Sequence, residues 1–130
     1  MYPEDLKYHK EHAWVKVSGN KATVGISFYA QESIGDIVYV DAPDLDSSIE
    51  AGSELTQIES TKATSSVISP VSGTIVEFNE ELSDSPEVIN EDPYEKGWVA
   101  VIEVEDDSEL AGLMDAEAYE KYLEEEVKLE

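Results

Sequence analysis

The sequence predicts a mainly β fold, a flattened antiparallel β-sandwich or barrel with a few short helices. Three observations support it. Apolar residues fall in short runs of β-branched and aromatic type, and turn residues separate those runs. The pattern Gly-x-Ile-Val-x-apolar also occurs at residues 35–40 and again at residues 73–78. Two copies of one strand pattern fit a quasi-symmetric pair of sheets.

The first part of the chain predicts a hairpin followed by a short helix. Residues 13–17 and 21–26 are rich in β-formers and are separated by serine, glycine and asparagine. A helix follows over residues 27–33. Ser27 is suited to cap its start, and Gly35 lies beyond its end.

Two further strands are expected to build the core. Residues 36–40 form one, and the nearly continuous apolar run at residues 98–104 forms another, buried on both faces. The expected core residues include Val38, Ile58, Ile75, Trp98, Val99 and Val101.

The carboxy-terminal part predicts helices over about residues 108–127. Ser108 is suited to cap a first one over residues 109–114, and Asp115 a second. Apolar residues in the second recur at helical spacing and indicate core packing: Ala116, Tyr119, Leu123 and Val127. With no visible linker, residues 1–130 are expected to form a single domain.

One lysine stands out by its placement. β-compatible residues lie on both sides of Lys62, at residues 54–59 and 65–69, and a proline- and glycine-containing turn follows. Lys62 is therefore expected at the exposed tip of a hairpin, where an enzyme could reach its amine. This placement favours a carrier over an enzyme.

Composition excludes several classes of function. The formal net charge is -23, with no arginine, so binding to nucleic acid or to an anionic membrane surface is not expected, since phosphates require cations. The chain has no cysteine and therefore neither disulfides nor a thiolate nucleophile. No apolar stretch has the length of a membrane span, and the first residues lack the features of a secretion signal. A cytoplasmic protein is expected.

The residues around Lys62 resemble a lipoyl-lysine motif, and the whole chain resembles the glycine cleavage system H-protein family. The motif is Glu59-Ser60-Thr61-Lys62-Ala63. Further segments that carry the resemblance, in order, include Glu11-His12-Ala13-Trp14-Val15, Gly35-Asp36-Ile37-Val38-Tyr39-Val40, Ser69-Pro70-Val71-Ser72-Gly73, Ser85-Pro86-Glu87-Val88-Ile89-Asn90, Asp92-Pro93-Tyr94 and Leu113-Met114-Asp115-Ala116. The resemblance implies a lipoyl-domain-like hammerhead fold and lipoic acid covalently attached to Lys62.

The resemblance also implies a function and its partners. Proteins of this family shuttle the aminomethyl intermediate of glycine cleavage between glycine decarboxylase, aminomethyltransferase and dihydrolipoamide dehydrogenase. A lipoate ligase or lipoyltransferase would attach the cofactor. The chain would then be a covalent carrier subunit and not itself an enzyme. Biotin carriers usually have methionine on both sides of the lysine, whereas Thr61 and Ala63 stand here.

Three positions around the lysine bear on this function. Glu59 matches a glutamate that helps the modifying enzyme to recognise its target. Ala13 and Ser66 stand where typical family members have glutamate and often aspartate, acids suited to hold the amine of a loaded arm. Both are expected to flank the pocket of the arm. Their identity leaves open an alternative, an H-like lipoyl carrier in sulfur oxidation or lipoyl relay.

Metal binding and independent hydrolysis are not expected from the remaining residues. His9 and His12 are the only histidines, and no third metal ligand is specified by spacing. The serines near Lys62 lack a nucleophile elbow and an evident histidine partner. No metal site and no catalytic residue is therefore predicted.

Overall fold

The fold consists of two antiparallel sheets with short helices between and after their strands. A computed structural model describes residues 3–105 and 107–127, apart from the side chains of Asp107, Glu109, Glu126 and Val127. In chain order the strands are β1 (Lys7–Tyr8), β2 (Ala13–Ser18), β3 (Lys21–Ile26), β4 (Ile37–Val40), β5 (Ser48–Ile49), β6 (Glu54–Ser60), β7 (Thr64–Ile68), β8 (Gly73–Phe78) and β9 (Ala100–Val104).

The two sheets differ in size. The larger has the strand order β1-β2-β3-β9-β8-β5, and the smaller has the order β4-β6-β7. Every pair of neighbouring strands is antiparallel. The mainly β fold class and the first hairpin are therefore confirmed. The strand expected from residue 98 begins two residues later, at Ala100, and it is buried on both faces only as far as Ile102, because the charged Glu103 is exposed.

The helix after the first hairpin is also confirmed. It is α1 (Phe28–Ile34), and the Ser27 hydroxyl accepts a hydrogen bond from the amide of Ala30 at its start. At its end the amide of Gly35 donates to the carbonyl of Gln31, with Gly35 at a φ of 85°. A glycine without a side chain adopts this positive φ readily, so the chain can turn from α1 into β4.

The later helices are short and match the prediction only in part. They are α2 (Glu81–Asp84), α3 (Val88–Glu91), a 3-10 helix (Asp107–Gly112), α4 (Ala116–Tyr122) and a π-helical turn (Leu123–Val127). The Asp115 carboxylate caps α4, as predicted, by accepting from the amide of Ala118. A helix does lie in the range predicted as residues 109–114, but it is a 3-10 helix that ends at Gly112, and the predicted cap was wrong, because Ser108 lies inside it. Glycine is a poor helix former, and short 3-10 helices serve well as connectors.

Buried side chains form two clusters. The larger draws residues from both sheets, among them Ile58, Ile75 and Ile102. The smaller lies beneath α4 and consists of Leu6, Tyr8, Trp14, Ala116, Tyr119 and Leu123. The predicted apolar face is therefore confirmed at Ala116 and Tyr119 of α4 and at Leu123, which begins the π-helical turn. The side chain of Val127 lies outside the described residues.

The predicted core is correct except at one position. Ile58, Ile75, Val99 and Val101 are buried, and Trp98 is partly buried against the smaller cluster. Val38 was wrongly placed in the core, because its side chain is 54% exposed. The pairing of β4 with β6 shifts between Ile37 and Tyr39, and this β-bulge leaves Val38 as an extra residue. In the described part of the chain, no helix is both long and apolar enough to cross a membrane.

Candidate functional site

Lys62 lies in a three-residue turn, residues 61–63, at the tip of the β6-β7 hairpin, and it is exposed as predicted. Ser60 holds this turn together. Its hydroxyl oxygen accepts from the amides of Lys62 at 3.1 Å and Ala63 at 3.0 Å, and the Ser60 amide donates to the carbonyl of Ala63 at 2.8 Å. Serine forms such local bonds to the backbone readily, which explains why the turn is tight.

The segment between α1 and β4 supports this turn from one side. The amide of Thr61 donates to the carbonyl of Asp36 at 3.0 Å. The stem of Lys62 lies over Gly35, since a Cβ added to Gly35 would be 3.1 Å from the Lys62 Cε. A side chain at this position would therefore be in tight steric contact with the lysine stem. It would also be strained, because residues other than glycine rarely adopt this positive φ.

Asn90 fixes the supporting segment from the opposite side. Its Nδ2 donates to the carbonyl of Gly35 at 2.9 Å and to Oε1 of Gln31 at 3.0 Å. Its Oδ1 accepts from the amide of Ile37 at 2.9 Å. One partly buried amide group on α3 thus ties together the end of α1 and the start of β4, the segment on which Lys62 rests. The sequence showed no signal for this role, because Asn90 is far from Gly35 along the chain.

Glu59 is exposed on β6, directly opposite Tyr39 of β4. A hydrogen bond to Asp41, with the nearby negative charges of Asp41 and Glu59, raises the pKa of Tyr39 above its usual value. Glu59 is thus accessible to a protein that approaches Lys62. Its role in recognition stays a prediction.

Ala13 and Ser66 line one cavity, of about 210 Å³, beside the hairpin. Ala13 is buried and Ser66 is exposed. The wall also includes Glu11, His12, Tyr29, Ile34 and Ile58. Pockets that enclose a whole drug-sized ligand have about 300–1,000 Å³, so this cavity suits the end of an arm better than a free ligand. That an arm enters it stays a prediction.

Two carboxylates near this cavity were missed from the sequence. The Ser66 hydroxyl donates to Oε1 of Glu54 at 2.7 Å, and this bond, together with one from Gln57, lowers the pKa of Glu54 below its usual value. Glu11 is a lining residue of the cavity itself. Negative charge is therefore present around the cavity although Ala13 and Ser66 carry none. The contact of Glu54 with Ser66 could have been anticipated only from the pairing of β6 with β7, which brings side chains of the two strands together.

His12 connects the cavity wall to the carboxy-terminal helix. Its Nδ1 is hydrogen-bonded to the hydroxyl of Tyr119 at 2.8 Å, and that hydroxyl is bonded to Ser27 Oγ at 2.7 Å. Burial lowers the pKa of His12, which Glu11 partly opposes. The backbone of His12 has a φ of 76°, uncommon for a residue other than glycine. These contacts fit the structural role expected of this histidine, and the described residues contain no group of potential metal ligands.

A comparison with sequence families shows which family the chain belongs to. The sequence profile described as glycine cleavage H-protein matches residues 6–126, nearly the whole chain. The chain belongs to the glycine cleavage H-protein family. Members of this family are lipoate carriers, and the Lys62 hairpin is the part of this H-protein chain that resembles a lipoyl-lysine motif.

Individual proteins similar to this chain are named as members of the same family. The chain is 50% identical to glycine cleavage system H protein 2, mitochondrial, of Arabidopsis thaliana over 123 residues, which cover 95% of this chain and 79% of the relative. It is 49% identical to the glycine cleavage system H protein of Carboxydothermus hydrogenoformans, with 97% of each chain covered. A crystal structure of a glycine cleavage system H protein from Mycobacterium marinum superimposes with a TM-score of 0.81 at 33% identity, covering 92% of this chain and 96% of that one. The hammerhead fold implied by the resemblance is thereby confirmed.

Proposed function

We propose that this chain is the lipoyl-carrying subunit of a glycine cleavage system, with lipoic acid joined to Lys62 by an amide bond. The observation that carries the proposal is an exposed lysine at the tip of a tightly bonded hairpin, within a family of lipoate carriers. Once attached, the lipoyl group supplies a dithiolane that can be reduced and reoxidised. The chain itself has no cysteine to do so.

The residues of the chain present the lysine and offer its arm a place to rest. Ser60 accepts from the backbone amide of Lys62, and the stem of the lysine lies over Gly35, which has no side chain to displace it. The cavity lined by Ala13 and Ser66 lies beside the second strand of the same hairpin, where it can receive the end of a long arm. Such a cavity excludes water from part of the arm between visits to partner enzymes.

The partners are proposed from the same family role. They are glycine decarboxylase, aminomethyltransferase and dihydrolipoamide dehydrogenase, together with the lipoate ligase or lipoyltransferase that modifies Lys62. A tethered arm reaches each docked active site at a high effective concentration, so the carrier needs no catalytic residue of its own. The net charge of -23 favours basic surfaces on these partners. The cytoplasmic location expected from the sequence stays a prediction.

An intact-mass experiment tests the site of attachment. Incubation of the full chain with lipoate ligase, lipoate and ATP should add one lipoyl group, and Lys62→Arg should abolish the addition. Lys96→Arg is the matched control, because Lys96 is also exposed but lies outside the hairpin, and it should be modified like the wild type. Modification that persists in Lys62→Arg would refute the site.

A reconstituted assay tests the pathway. The lipoylated chain, but not the unmodified one, should support decarboxylation of glycine by glycine decarboxylase. A lipoylated chain that is reduced by dihydrolipoamide dehydrogenase but gives no glycine decarboxylation would favour the alternative, a carrier in sulfur oxidation or lipoyl relay. Multiple-turnover activity of the purified chain without partners would contradict the carrier role.

A further inference from the structure

The edge of the smaller sheet displays an exposed valine and an exposed tyrosine next to the Lys62 hairpin. Ile37 and Val40 of β4 are 2% exposed, whereas Val38 and Tyr39 between them are 54% and 49% exposed. The bulge causes this arrangement, because it adds Val38 to the strand and turns two consecutive side chains outward. Regular alternation would have buried one of them.

The repeated sequence pattern shows that the bulge belongs to the architecture of the strand. In the second copy, on β8, the pairing shifts at the corresponding place, between Ile75 and Glu77. There the extra residue, Val76, is partly buried, and β8 lies between β9 and β5. In the first copy, β4 is the outermost strand of its sheet, and the extra residue of its bulge, Val38, is exposed.

The exposed pair lies on the surface that surrounds the lysine. Tyr39 is the cross-strand partner of Glu59, and both side chains are exposed, which places them side by side on the outer face. Val38 is three residues from Gly35, over which the stem of Lys62 lies, and three residues span at most about 10 Å. A typical protein contact covers about 800 Å² of each partner, so an enzyme centred on Lys62 would also cover this pair.

The charges around the pair indicate what kind of partner fits. Carboxylates of Asp36, Asp41 and Glu59 belong to the same strands or their ends, and Asp36 and Glu59 are exposed. With a net charge of -23, a second copy of this chain would be repelled from this surface. An apolar recess bordered by lysine or arginine would instead complement the valine, the ring of the tyrosine and their acidic border.

We propose that Val38 and Tyr39 form a docking contact for the enzyme that attaches lipoate to Lys62. This inference rests on the proposed function and adds to it the surface through which the enzyme recognises the chain. The enzyme buries the two side chains in a hydrophobic recess while its basic residues pair with the surrounding acids. Burial of an exposed valine and tyrosine strengthens binding, and it does not alter the chemistry at the amine.

Lipoylation kinetics of surface variants test the contact. Val38→Ser and the double variant Val38→Ser/Tyr39→Ser should raise KM for the unmodified chain, the double variant by about tenfold or more, with kcat unchanged; tenfold corresponds to about 1.4 kcal/mol of binding free energy. Val17→Ser is the matched control, because Val17 is 41% exposed on the larger sheet, and it should keep the wild-type KM. Calorimetric Kd values of the unmodified chain for the ligase should change in parallel.

The outcomes separate this inference from the proposed function. If the wild type is not modified on Lys62, the proposed function fails first. If the wild type is modified but the Val38 variants behave like Val17→Ser in both KM and Kd, the docking contact is refuted. Sedimentation that shows a wild-type dimer dissociating in Val38→Ser would assign the surface to a second copy of the chain and would also refute the proposal.

Discussion

Asn90→Asp should loosen the support of Lys62 and slow its modification. The substitution keeps the shape of the side chain and the oxygen that accepts from Ile37, but it removes the Nδ2 donor to Gly35 and Gln31, at 2.9 and 3.0 Å. Each neutral hydrogen bond contributes about 0.5–1.5 kcal/mol, so the two together contribute roughly 1–3 kcal/mol. The new carboxylate oxygen would also face two acceptor oxygens, which adds repulsion.

Asn79→Asp is the matched control for this prediction. The Nδ2 of Asn79 also donates two hydrogen bonds, to the carbonyls of Lys96 and Trp98, both at 2.8 Å. Neither acceptor belongs to the segment that supports Lys62. The two variants therefore lose the same number of bonds and gain the same charge, and their free energies of unfolding should fall by similar amounts. Only Asn90→Asp should affect the hairpin.

Native-state hydrogen exchange distinguishes the two effects. The amide of Thr61 donates to the carbonyl of Asp36 and reports on contact between the hairpin and its support. In Asn90→Asp this amide should exchange about tenfold faster than in Asn79→Asp, and kcat/KM for lipoylation should fall in the same variant. If both variants change Thr61 exchange and lipoylation equally, Asn90 acts only through global stability, and its assignment as a positioning residue is wrong.

Two further predictions concern packing and pH. Gly25→Ala should destabilise the fold by about 1–3 kcal/mol in urea unfolding, because its Cβ would be 2.6 Å from the buried ring of Trp14, whereas Gly112→Ala, with no heavy atom within 4 Å of its Cβ, should not. His12 should titrate below its usual pKa of about 6.5 in an NMR titration, and Glu11→Gln should lower that pKa further. Because the folded-state pKa of His12 is depressed, the stability that this histidine contributes is present above the unfolded-state pKa of about 6.5 and is lost as pH falls from there through the lower folded-state pKa. A His12 pKa at or above 6.5 would contradict this.

Local sequence patterns predicted the strands and helices, but not the contacts between distant residues that hold them in place. Ser27, Gly35 and Asp115 act within a few residues of their own position, so their capping roles were readable from the sequence. The bulge at Val38 was not readable in this way, because a shift of register is a property of the pairing between β4 and β6. It interrupts the alternation of buried and exposed side chains on which a sequence-based prediction depends. The same holds for Asn90, whose partners on α1 and β4 are brought to it only by the packing of α3.

At the site around Lys62, too, some features were predictable from local sequence and others depend on contacts between distant residues. Exposure of the lysine followed from its flanking strands. Ala13 and Ser66 line one cavity, and the use of that cavity by an arm stays a prediction. The contact between Ser66 and Glu54 changes the interpretation of the missing acids, because it places a carboxylate beside a position that carries none. Sequence comparison at one position therefore does not report the charge of the site, since a neighbouring strand can supply it.

The hydrogen bonds around Lys62 explain how a small carrier can combine reach with recognition. Bonds from Ser60, Asp36 and Ala63 fix the backbone of the turn, so conformational freedom resides in the lysine side chain and whatever it carries. A rigid base lowers the entropy lost when an enzyme docks on the surrounding surface, whereas a flexible arm explores the space beyond it. Recognition and delivery therefore depend on different parts of the hairpin, and substitutions in its support should affect docking before they affect the reach of the arm.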